Sequence, residues 1–313
     1  MYKGLEVKIG KLRLLNPVMV ASGTFGYAEE FSDFMDLKKL GAVVTKTITL
    51  KPRPGNKPPR TCETPSGMLN SIGLENPGLN RFVSEKLPYL KKIGVPIIVS
   101  IASEGDSREF VELAKCLDEI KEISAIELNI SCPNIRGQKS EGRSQNVRLV
   151  SQDPKATYAV VRSVRKVTKK TLITKLSPNV TSIEDIALAA ERAGTDALAL
   201  INTLLGMSID TQTLRPRIAA VTAGLSGPAI RPVAVRMTWE VYRKTKLPII
   251  GMGGITDTKS ALEFILAGAT AVAVGTANFV KPSVTIEIID GLKEYLNKNR
   301  IADIKSLIGA LKL

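Results

Sequence analysis

The chain has 313 residues, of which 44% are hydrophobic, and a formal net charge of +14. It contains no histidine, which excludes Ser-His and Cys-His hydrolysis, His-ligated metals and histidine proton shuttles, and leaves Cys, Asp, Glu, Lys or Tyr as a general base. The three cysteines, Cys62, Cys116 and Cys132, are widely spaced and form no CxxC pair. We therefore predict no metal site in this chain, no iron–sulfur cluster and no disulfide framework, so redox chemistry needs a bound cofactor.

Composition also bears on location and partners. No apolar run is long enough to span a membrane, and residues 1–10 lack the basic-then-apolar pattern of a signal peptide, so we expect a soluble cytoplasmic protein with no membrane partner. The positive charge raises nucleic acid as a partner. However, basic residues such as Arg162, Arg165 and Lys166 are scattered along predicted helices, and only 4% of residues are aromatic. We interpret the charge as a solvated face and expect no nucleic-acid partner.

The first fifty residues predict a short hairpin followed by two buried strands. Residues 7–9 and 12–14 form the hairpin, which we expect to plug the floor of a barrel. Residues 17–23 and 42–45 are apolar runs that end in small or polar residues, as buried strands do. Between them we predict a helix that carries Phe31, Phe34, Met35 and Leu40.

From there, strand-like runs alternate with helical segments to the end of the chain. Six further strands are predicted, at residues 96–101, 125–128, 172–176, 197–201, 249–251 and 271–274. Helices are predicted near residues 80–93, 107–122, 153–170, 183–193, 230–245, 258–267 and 284–298. This alternation predicts an α/β fold of the (β/α)8 TIM-barrel type, with residues 1–313 as one domain. A doubly wound sheet is the alternative, but no GxGxxG turn follows the first strand.

A (β/α)8 barrel carries its functional residues at the carboxyl ends of its strands. Those ends hold Ser22, Lys46, Ser100, Asn129, Lys175, Asn202, Thr203, Gly253, Gly254, Gly275 and Thr276, which we predict to form the site. Glycines follow both of the last two strands, and their backbone N–H groups can face a phosphate. Tight turns explain each glycine pair separately, whereas a phosphorylated cofactor or substrate explains both.

Lys46 and Lys175 are directed into the same cavity. A lysine is rarely buried without a partner, so the pair indicates an anion, either a carboxylate or an electron-rich ring such as a reduced flavin. The alternative is that each ammonium group reaches solvent from the strand end.

Cys132 lies between Asn129 and Asn134, directly after the strand at 125–128. A nucleophilic or basic sulfur among carboxamides suits a planar polar heterocycle. The alternative is an inert cysteine in a polar turn. Cys62 and Cys116 are assigned no catalytic role, and we expect Cys116 to be a small core residue on its helix.

Two long excursions interrupt the alternation of strands and helices. Residues 51–80 are rich in Pro, Gly and Asn, and residues 135–152 are basic. Loops of this size in a compact domain are usually functional. We predict that residues 135–152 form a mobile lid that closes over an anionic ligand. The alternative is a disordered loop in solvent.

A set of motifs occurs in order on this predicted barrel. They are Ala-Ser-Gly-Thr-Phe-Gly at 21–26, Thr-Lys-Thr at 45–47, Pro-Ser-Gly-Met-Leu-Asn-Ser-Ile-Gly-Leu at 65–74, Asn-Ile-Ser-Cys-Pro-Asn at 129–134, Ile-Asn-Thr at 201–203, Gly-Leu-Ser-Gly-Pro at 224–228 and the two glycine turns. With these motifs the chain resembles class 1 dihydroorotate dehydrogenases over nearly its whole length. The resemblance implies FMN at the barrel mouth and oxidation of (S)-dihydroorotate to orotate in de novo pyrimidine (UMP) biosynthesis.

The resemblance also implies a role for each matched position. The implied ring contacts are Ser22, Lys46, Thr47, Asn129, Lys175, Ile201 and Gly227, with Ser100 where the family usually has an asparagine near the flavin. The implied phosphate contacts are Gly253, Gly254, Gly275 and Thr276. The implied substrate contacts are Lys46, Asn70, Ser71, Ile72, Gly73, Leu74, Asn129, Asn134, Asn202 and Thr203. Cys132 matches the catalytic base, which takes a proton from C5 of dihydroorotate while the C6 hydrogen leaves as hydride to flavin N5.

Finer features favour one form of the family. Cysteine at position 132 and the lack of an amphipathic N-terminal extension disfavour the membrane-bound quinone-linked class. Residues 52–56 and 73–78 look more like the NAD-linked (1B) form, although the segment after Asn134 is longer and more basic than the usual loop. That form implies a homodimer core joined to a subunit carrying FAD and a [2Fe-2S] cluster, as a heterotetramer.

Three alternatives remain open at this point. The nearest is a dihydropyrimidine dehydrogenase-like reductase, which would share the flavin site and the catalytic cysteine but act on uracil. A tRNA dihydrouridine synthase-like FMN enzyme is the second, and it would need an RNA-binding domain. A non-catalytic flavin-binding subunit is the alternative that is not an enzyme.

Overall fold

The structure, a computed structural model, describes residues 3–103, 107–131 and 150–312. Its strands in chain order are β1 (Val7–Ile9), β2 (Leu12–Leu14), β3 (Val18–Val20), β4 (Ala42–Val44), β5 (Thr61–Thr64), β6 (Gly67–Asn70), β7 (Ile97–Ile101), β8 (Ile123–Leu128), β9 (Thr171–Lys175), β10 (Ala197–Leu200), β11 (Leu204–Met207), β12 (Ile209–Asp210), β13 (Arg215–Pro216), β14 (Thr222–Ser226), β15 (Ile249–Gly251) and β16 (Ala271–Val274). Its α-helices are α1 (Gly78–Arg81), α2 (Leu87–Ile93), α3 (Ser107–Asp118), α4 (Pro154–Arg165), α5 (Ile183–Ala193), α6 (Arg231–Tyr242), α7 (Thr258–Leu266), α8 (Ala277–Val280) and α9 (Val284–Lys298).

Eight parallel strands close into a barrel in the order β3-β4-β7-β8-β9-β10-β15-β16, and β16 pairs back to β3. The predicted (β/α)8 fold is therefore confirmed. The barrel strands are short apolar runs whose residues are nearly all buried, because helices cover one face and the barrel core covers the other. The six later strands begin and end within two residues of their predicted bounds.

The outer helices place one apolar stripe each against the barrel. In α3, Phe110, Leu113 and Leu117 are buried at helical spacing. Cys116 on the same helix is exposed, so the expectation that it is a core residue is wrong: its position lies on the face turned away from the barrel. The predicted start of α5 is confirmed, because Ser182 Oγ accepts a hydrogen bond from the backbone N–H of Asp185. No helix in the described ranges is long and apolar enough to cross a membrane.

The segment between β3 and β4 does not form the predicted helix. It contains only two 3₁₀ turns, Glu29–Phe31 and Leu37–Lys39. Ala28 has a left-handed backbone (φ 72°), and the Asp36 carboxylate caps the second turn by accepting from the N–H of Lys38. Both features break a continuous helix, and Phe34 is left exposed.

The N-terminal hairpin and a second sheet lie at opposite ends of the barrel. The hairpin pairs β1 with β2 as predicted, and the N–H of Lys11 donates to Thr171 Oγ1 at the amino end of β9. The second sheet is antiparallel, in the order β11-β14-β6-β5. It is built from the 51–80 excursion and the segment after β10, and it stands over the carboxyl ends of the barrel strands.

Candidate functional site

A cavity of about 1100 Å³ lies at the carboxyl ends of the barrel strands. Residues that follow the barrel strands form its floor, and β5, β6 and the end of β14 form a wall. Small-molecule sites typically enclose ~300–1,000 Å³. This cavity therefore has the volume for a cofactor together with a small substrate.

Most of the predicted site residues line this single cavity. They are Ser22, Lys46, Thr47, Asn70, Ile72, Gly73, Leu74, Asn129, Lys175, Ile201, Asn202, Thr203, Gly227, Gly253, Gly254, Gly275 and Thr276. Ser71 and Ser100 are buried and do not line it. Cys132, Asn134 and most of the predicted lid at 135–152 lie outside the described residues.

Lys175, the last residue of β9, is buried against a carboxylate. Its Nζ donates to Ser22 Oγ at 3.0 Å and lies 3.9 Å from Glu127 Oε1. The two charged side chains are only 5% and 2% exposed. Burying a charge is costly unless an opposite charge accompanies it, so the pair explains how Lys175 is accommodated.

Glu127 is not among the site residues predicted from the sequence. A signal was available, because Glu127 is the single charged residue in strand β8, whose other residues are apolar except Ser124. A carboxylate in a fully buried strand requires a partner, and at a strand end that partner belongs to the site.

Hydrogen bonds extend from Glu127 beneath the cavity. Ser100 Oγ donates to Glu127 Oε1 at 2.8 Å and lies 2.9 Å from Thr47 Oγ1. Asn129 Nδ2 in turn donates to Thr47 Oγ1 at 3.2 Å. Ser100 therefore connects the Glu127 carboxylate to Thr47 and, through Thr47, to Asn129, and both of these residues line the cavity.

Two carboxamides are held in fixed orientations at the other end of this network. Asn202 Nδ2 donates to Asn129 Oδ1 at 3.3 Å and to Ser131 Oγ at 2.9 Å. The N–H of Thr203 donates to Asn202 Oδ1 at 2.8 Å. Oriented amides offer both donors and acceptors, as recognition of a planar ring with imide and urea edges requires.

The two glycine turns both line the cavity. Gly253 and Gly254 have φ values of 130° and 77°, which side-chain-bearing residues rarely adopt. A Cβ on Gly254 would lie 2.7 Å from the carbonyl oxygen of Gly227. A Cβ on Gly275 would meet only Ala21 and Thr24, at 3.7 and 3.8 Å, so packing does not demand glycine there. The missing side chain leaves room in the cavity, and the turns fit a phosphate.

The closed barrel with a cavity at the carboxyl ends of its strands is the architecture of a (β/α)8-barrel enzyme. A family model described as dihydroorotate dehydrogenase matches residues 4–296. The chain belongs to the dihydroorotate dehydrogenase family, whose catalysis depends on flavin.

Individual relatives match over the full length. A protein of Trichlorobacter lovleyi is 53% identical over 312 residues, covering 100% of both chains. One of Geotalea uraniireducens is 52% identical over 307 residues, covering 98% of each, and one of Thermoanaerobacter pseudethanolicus is 50% identical over 309 residues, covering 99% of each. Each is named the catalytic subunit of dihydroorotate dehydrogenase B (NAD(+)). The resemblance to the NAD-linked form is confirmed, and the alternatives are not favoured.

Proposed function

We propose that this chain is the catalytic subunit of an NAD-linked dihydroorotate dehydrogenase, which oxidises (S)-dihydroorotate to orotate in pyrimidine biosynthesis. One observation carries the proposal. Residues assigned separately to ring, phosphate and substrate lie around a single cavity at the catalytic end of the barrel.

We assign FMN as the flavin of this cavity. Ser22, Lys46, Thr47, Asn129, Lys175, Ile201 and Gly227 would hold its ring. Gly253, Gly254, Gly275 and Thr276 would hold its phosphate, against turns whose backbone is open to an anion. When bound, the flavin supplies the acceptor for the hydride that leaves C6 of the substrate.

The chain's own groups would bind dihydroorotate and remove its proton. Asn70, Asn129 and Asn202 offer neutral donors and acceptors to the pyrimidine edges, and Lys46 offers a cation to the carboxylate. Cys132, outside the described residues, would take the C5 proton. A thiol is only a few per cent thiolate at neutral pH, so a nearby cation favours its reactive form.

We further propose a partner subunit. The relatives are named as subunits, so this chain would pass its electrons to a second subunit rather than directly to NAD. We assign FAD and a [2Fe-2S] cluster to that subunit, in a cytoplasmic heterotetramer around a homodimer of this chain. Purification from the native source, with iron and FAD measured, tests this assembly.

Anaerobic reduction of the purified chain tests the activity itself. The chain should carry bound FMN that dihydroorotate bleaches and that dihydrouracil, used as the control substrate, leaves oxidised. Bleaching by dihydrouracil alone would instead assign the chain to pyrimidine-base chemistry, and a flavin that neither compound reduces would make it a non-catalytic subunit.

A further inference from the structure

Glu127 is a buried carboxylate beneath the cavity, and the proposed reaction gives it no role. It lies near the carboxyl end of β8, and its side chain is 2% exposed. Its Oε1 accepts a hydrogen bond from Ser100 and lies 3.9 Å from Lys175 Nζ. A charged carboxylate at such a depth is retained only where its charge is used or offset.

The geometry of the pair leaves the lysine able to serve a ligand. A separation of 3.9 Å between Glu127 Oε1 and Lys175 Nζ is too long for a hydrogen bond. An ammonium group has three N–H donors, and one of them is directed to Ser22 Oγ, on a residue that lines the cavity. Glu127 therefore offsets the charge of Lys175 without occupying its donors.

We infer that Glu127 is a positioning residue that acts through Lys175. It offsets the charge of the lysine and holds the ammonium group at the wall where the flavin ring would bind. The cavity then presents oriented N–H donors from a nearly neutral pair, instead of an uncompensated positive charge. This inference rests on the proposed function, because it concerns how the chain treats a bound flavin.

The competing explanation is purely structural. Through Ser100 and Thr47, Glu127 is also connected to Asn129, so it could act only by anchoring that network. A structural role does not depend on Lys175, whereas a charge-offsetting role does. Of the other cations around the cavity, Lys46 comes from a different strand end and lines the same space. The test must therefore vary Lys175 itself.

A double-mutant cycle separates the two roles. The four chains are wild type, Glu127→Gln, Lys175→Met and the double variant, and the readout is the midpoint potential of the bound flavin. Glu127→Gln leaves the lysine charge uncompensated, which favours the electron-rich reduced ring. We expect the reduced form to gain about tenfold over the oxidised form, a positive shift of about 30 mV for a two-electron couple.

In the Lys175→Met background the same change should shift nothing further. That background has no ammonium group whose charge Glu127 could offset or whose position it could hold. Equal shifts in the two backgrounds would overturn the inference.

Two matched controls complete the design. Glu85→Gln removes one negative charge from an exposed pair with Arg81 and should leave the potential unchanged. Ser100→Ala cuts the connection to Thr47 but keeps the charged pair. If Ser100→Ala shifted the midpoint potential as much as Glu127→Gln does, the role of Glu127 would be structural and the inference would be overturned.

Folding and flavin content are readouts of their own. If Glu127→Gln alone fails to fold, adding Lys175→Met should restore folding, because removing both charges costs far less than leaving one buried charge without its partner. A double variant that also fails would overturn the inference. If the wild-type chain binds no flavin, the proposed function fails, but thermal unfolding of the four chains still tests the pairing of Glu127 with Lys175. A double variant that is more stable than either single variant would support the pairing. Additive losses of stability would contradict it.

Discussion

A lysine lies at each end of strand β9, and the two ammonium groups have different kinds of partner. Lys170 precedes the strand, and its Nζ donates to the carbonyl oxygens of Ile120 and Ile123 at 2.9 and 2.8 Å. Burial lowers the pKa of Lys170, although the charges of Asp118 and Glu122 oppose this. Lys175 ends the strand, where it has a hydroxyl partner and a carboxylate 3.9 Å away.

The same contrast extends over the two ends of the barrel. At the amino end, Arg165 Nη1 donates to Asp196 Oδ2 at 2.7 Å, and Asp196 also accepts from the N–H of Leu172. At the carboxyl end, the lysines, asparagines and glycine turns line a cavity. Polar groups at the amino end therefore bond to one another and stabilise the fold, whereas those at the carboxyl end surround the cavity where we propose that a ligand binds.

The largest effect should come from the catalytic base at the carboxyl end. We expect Cys132→Ala to slow anaerobic flavin reduction by dihydroorotate by roughly 10²-fold or more while FMN stays bound, because a positioned base is lost. Stopped-flow absorbance of the flavin measures the rate. Cys116 lies on an exposed face of α3, so the flavin of the Cys116→Ala variant should be reduced at the wild-type rate. Unchanged reduction by Cys132→Ala would remove that residue from the mechanism.

A bulkier residue at Gly275 tests whether the cavity holds the flavin. Its backbone accepts a side chain, and a Cβ there would lie beside Ala21 and Thr24, which also line the cavity. Gly275→Leu should leave the apo-chain folded and weaken FMN binding by roughly 10- to 100-fold, since overpacking costs about 1–3 kcal/mol. Fluorescence titration of the apo-chain with FMN measures this. Gly275→Ala should lose much less affinity, and wild-type affinity in the leucine variant would place the flavin elsewhere.

A substitution at the amino end of the barrel should lower the stability of the fold and leave the rate of flavin reduction unchanged. Arg165→Ala removes the partner of Asp196 and of the carbonyl oxygens of Thr168 and Lys170. We expect a loss of about 2 kcal/mol in the free energy of unfolding, because half-buried acceptors lose a charged donor. Urea unfolding measures the loss, and flavin reduction should keep its wild-type rate. Arg81→Ala, in an exposed pair, should leave the free energy of unfolding nearly unchanged. A slowed reaction in Arg165→Ala would break the division between the two ends.

The smallest effect concerns a helix cap at the carboxyl end, at a residue that does not line the large cavity. The Asp257 side chain accepts from the N–H of Ser260, and the Ser260 hydroxyl accepts from the N–H of Asp257, in a capping box that starts α7. Asp257→Ala should cost about 1 kcal/mol in the free energy of unfolding at neutral pH, with no change in rate. Asp257→Asn, which keeps an acceptor, should retain most of the stability.

Acid should reduce the difference in stability between the wild-type chain and the Asp257→Ala variant. Burial tends to raise the pKa of Asp257, but hydrogen bonds from Ser260 and the charge of Arg231 outweigh it and lower the pKa below its ordinary value. A lowered folded-state pKa means that the stabilisation is present above about pH 4 and is lost as the pH falls through the folded-state pKa. Urea unfolding from about pH 7 down to about pH 3 measures this, and a difference that grows in acid would contradict the sign.

The barrel could be predicted from the sequence, and most of the predicted site residues line one cavity, for a physical reason. Parallel strands covered on both faces are continuous apolar runs, and functional side chains directly follow them, as Lys46, Asn129 and Lys175 do. The helix predicted between β3 and β4 was wrong because apolar spacing does not reveal the left-handed backbone of Ala28 or the cap by Asp36.

Other features depend on contacts that local patterns do not contain. The sheet β11-β14-β6-β5 joins residues far apart in the chain, because two of its strands come from the 51–80 excursion and two from the segment after β10. Glu127 was visible as a charge in an apolar strand, but its pairing with Lys175 and Ser100 follows only from the barrel register of β7, β8 and β9.

A crystal structure of the chain with FMN and orotate would test the central claim most directly. We predict the FMN phosphate against the turns at Gly253–Gly254 and Gly275–Thr276, and orotate between the flavin ring and Cys132, in contact with Asn129 and Asn202. Flavin bound away from this cavity, or orotate on a surface remote from Cys132, would contradict the account.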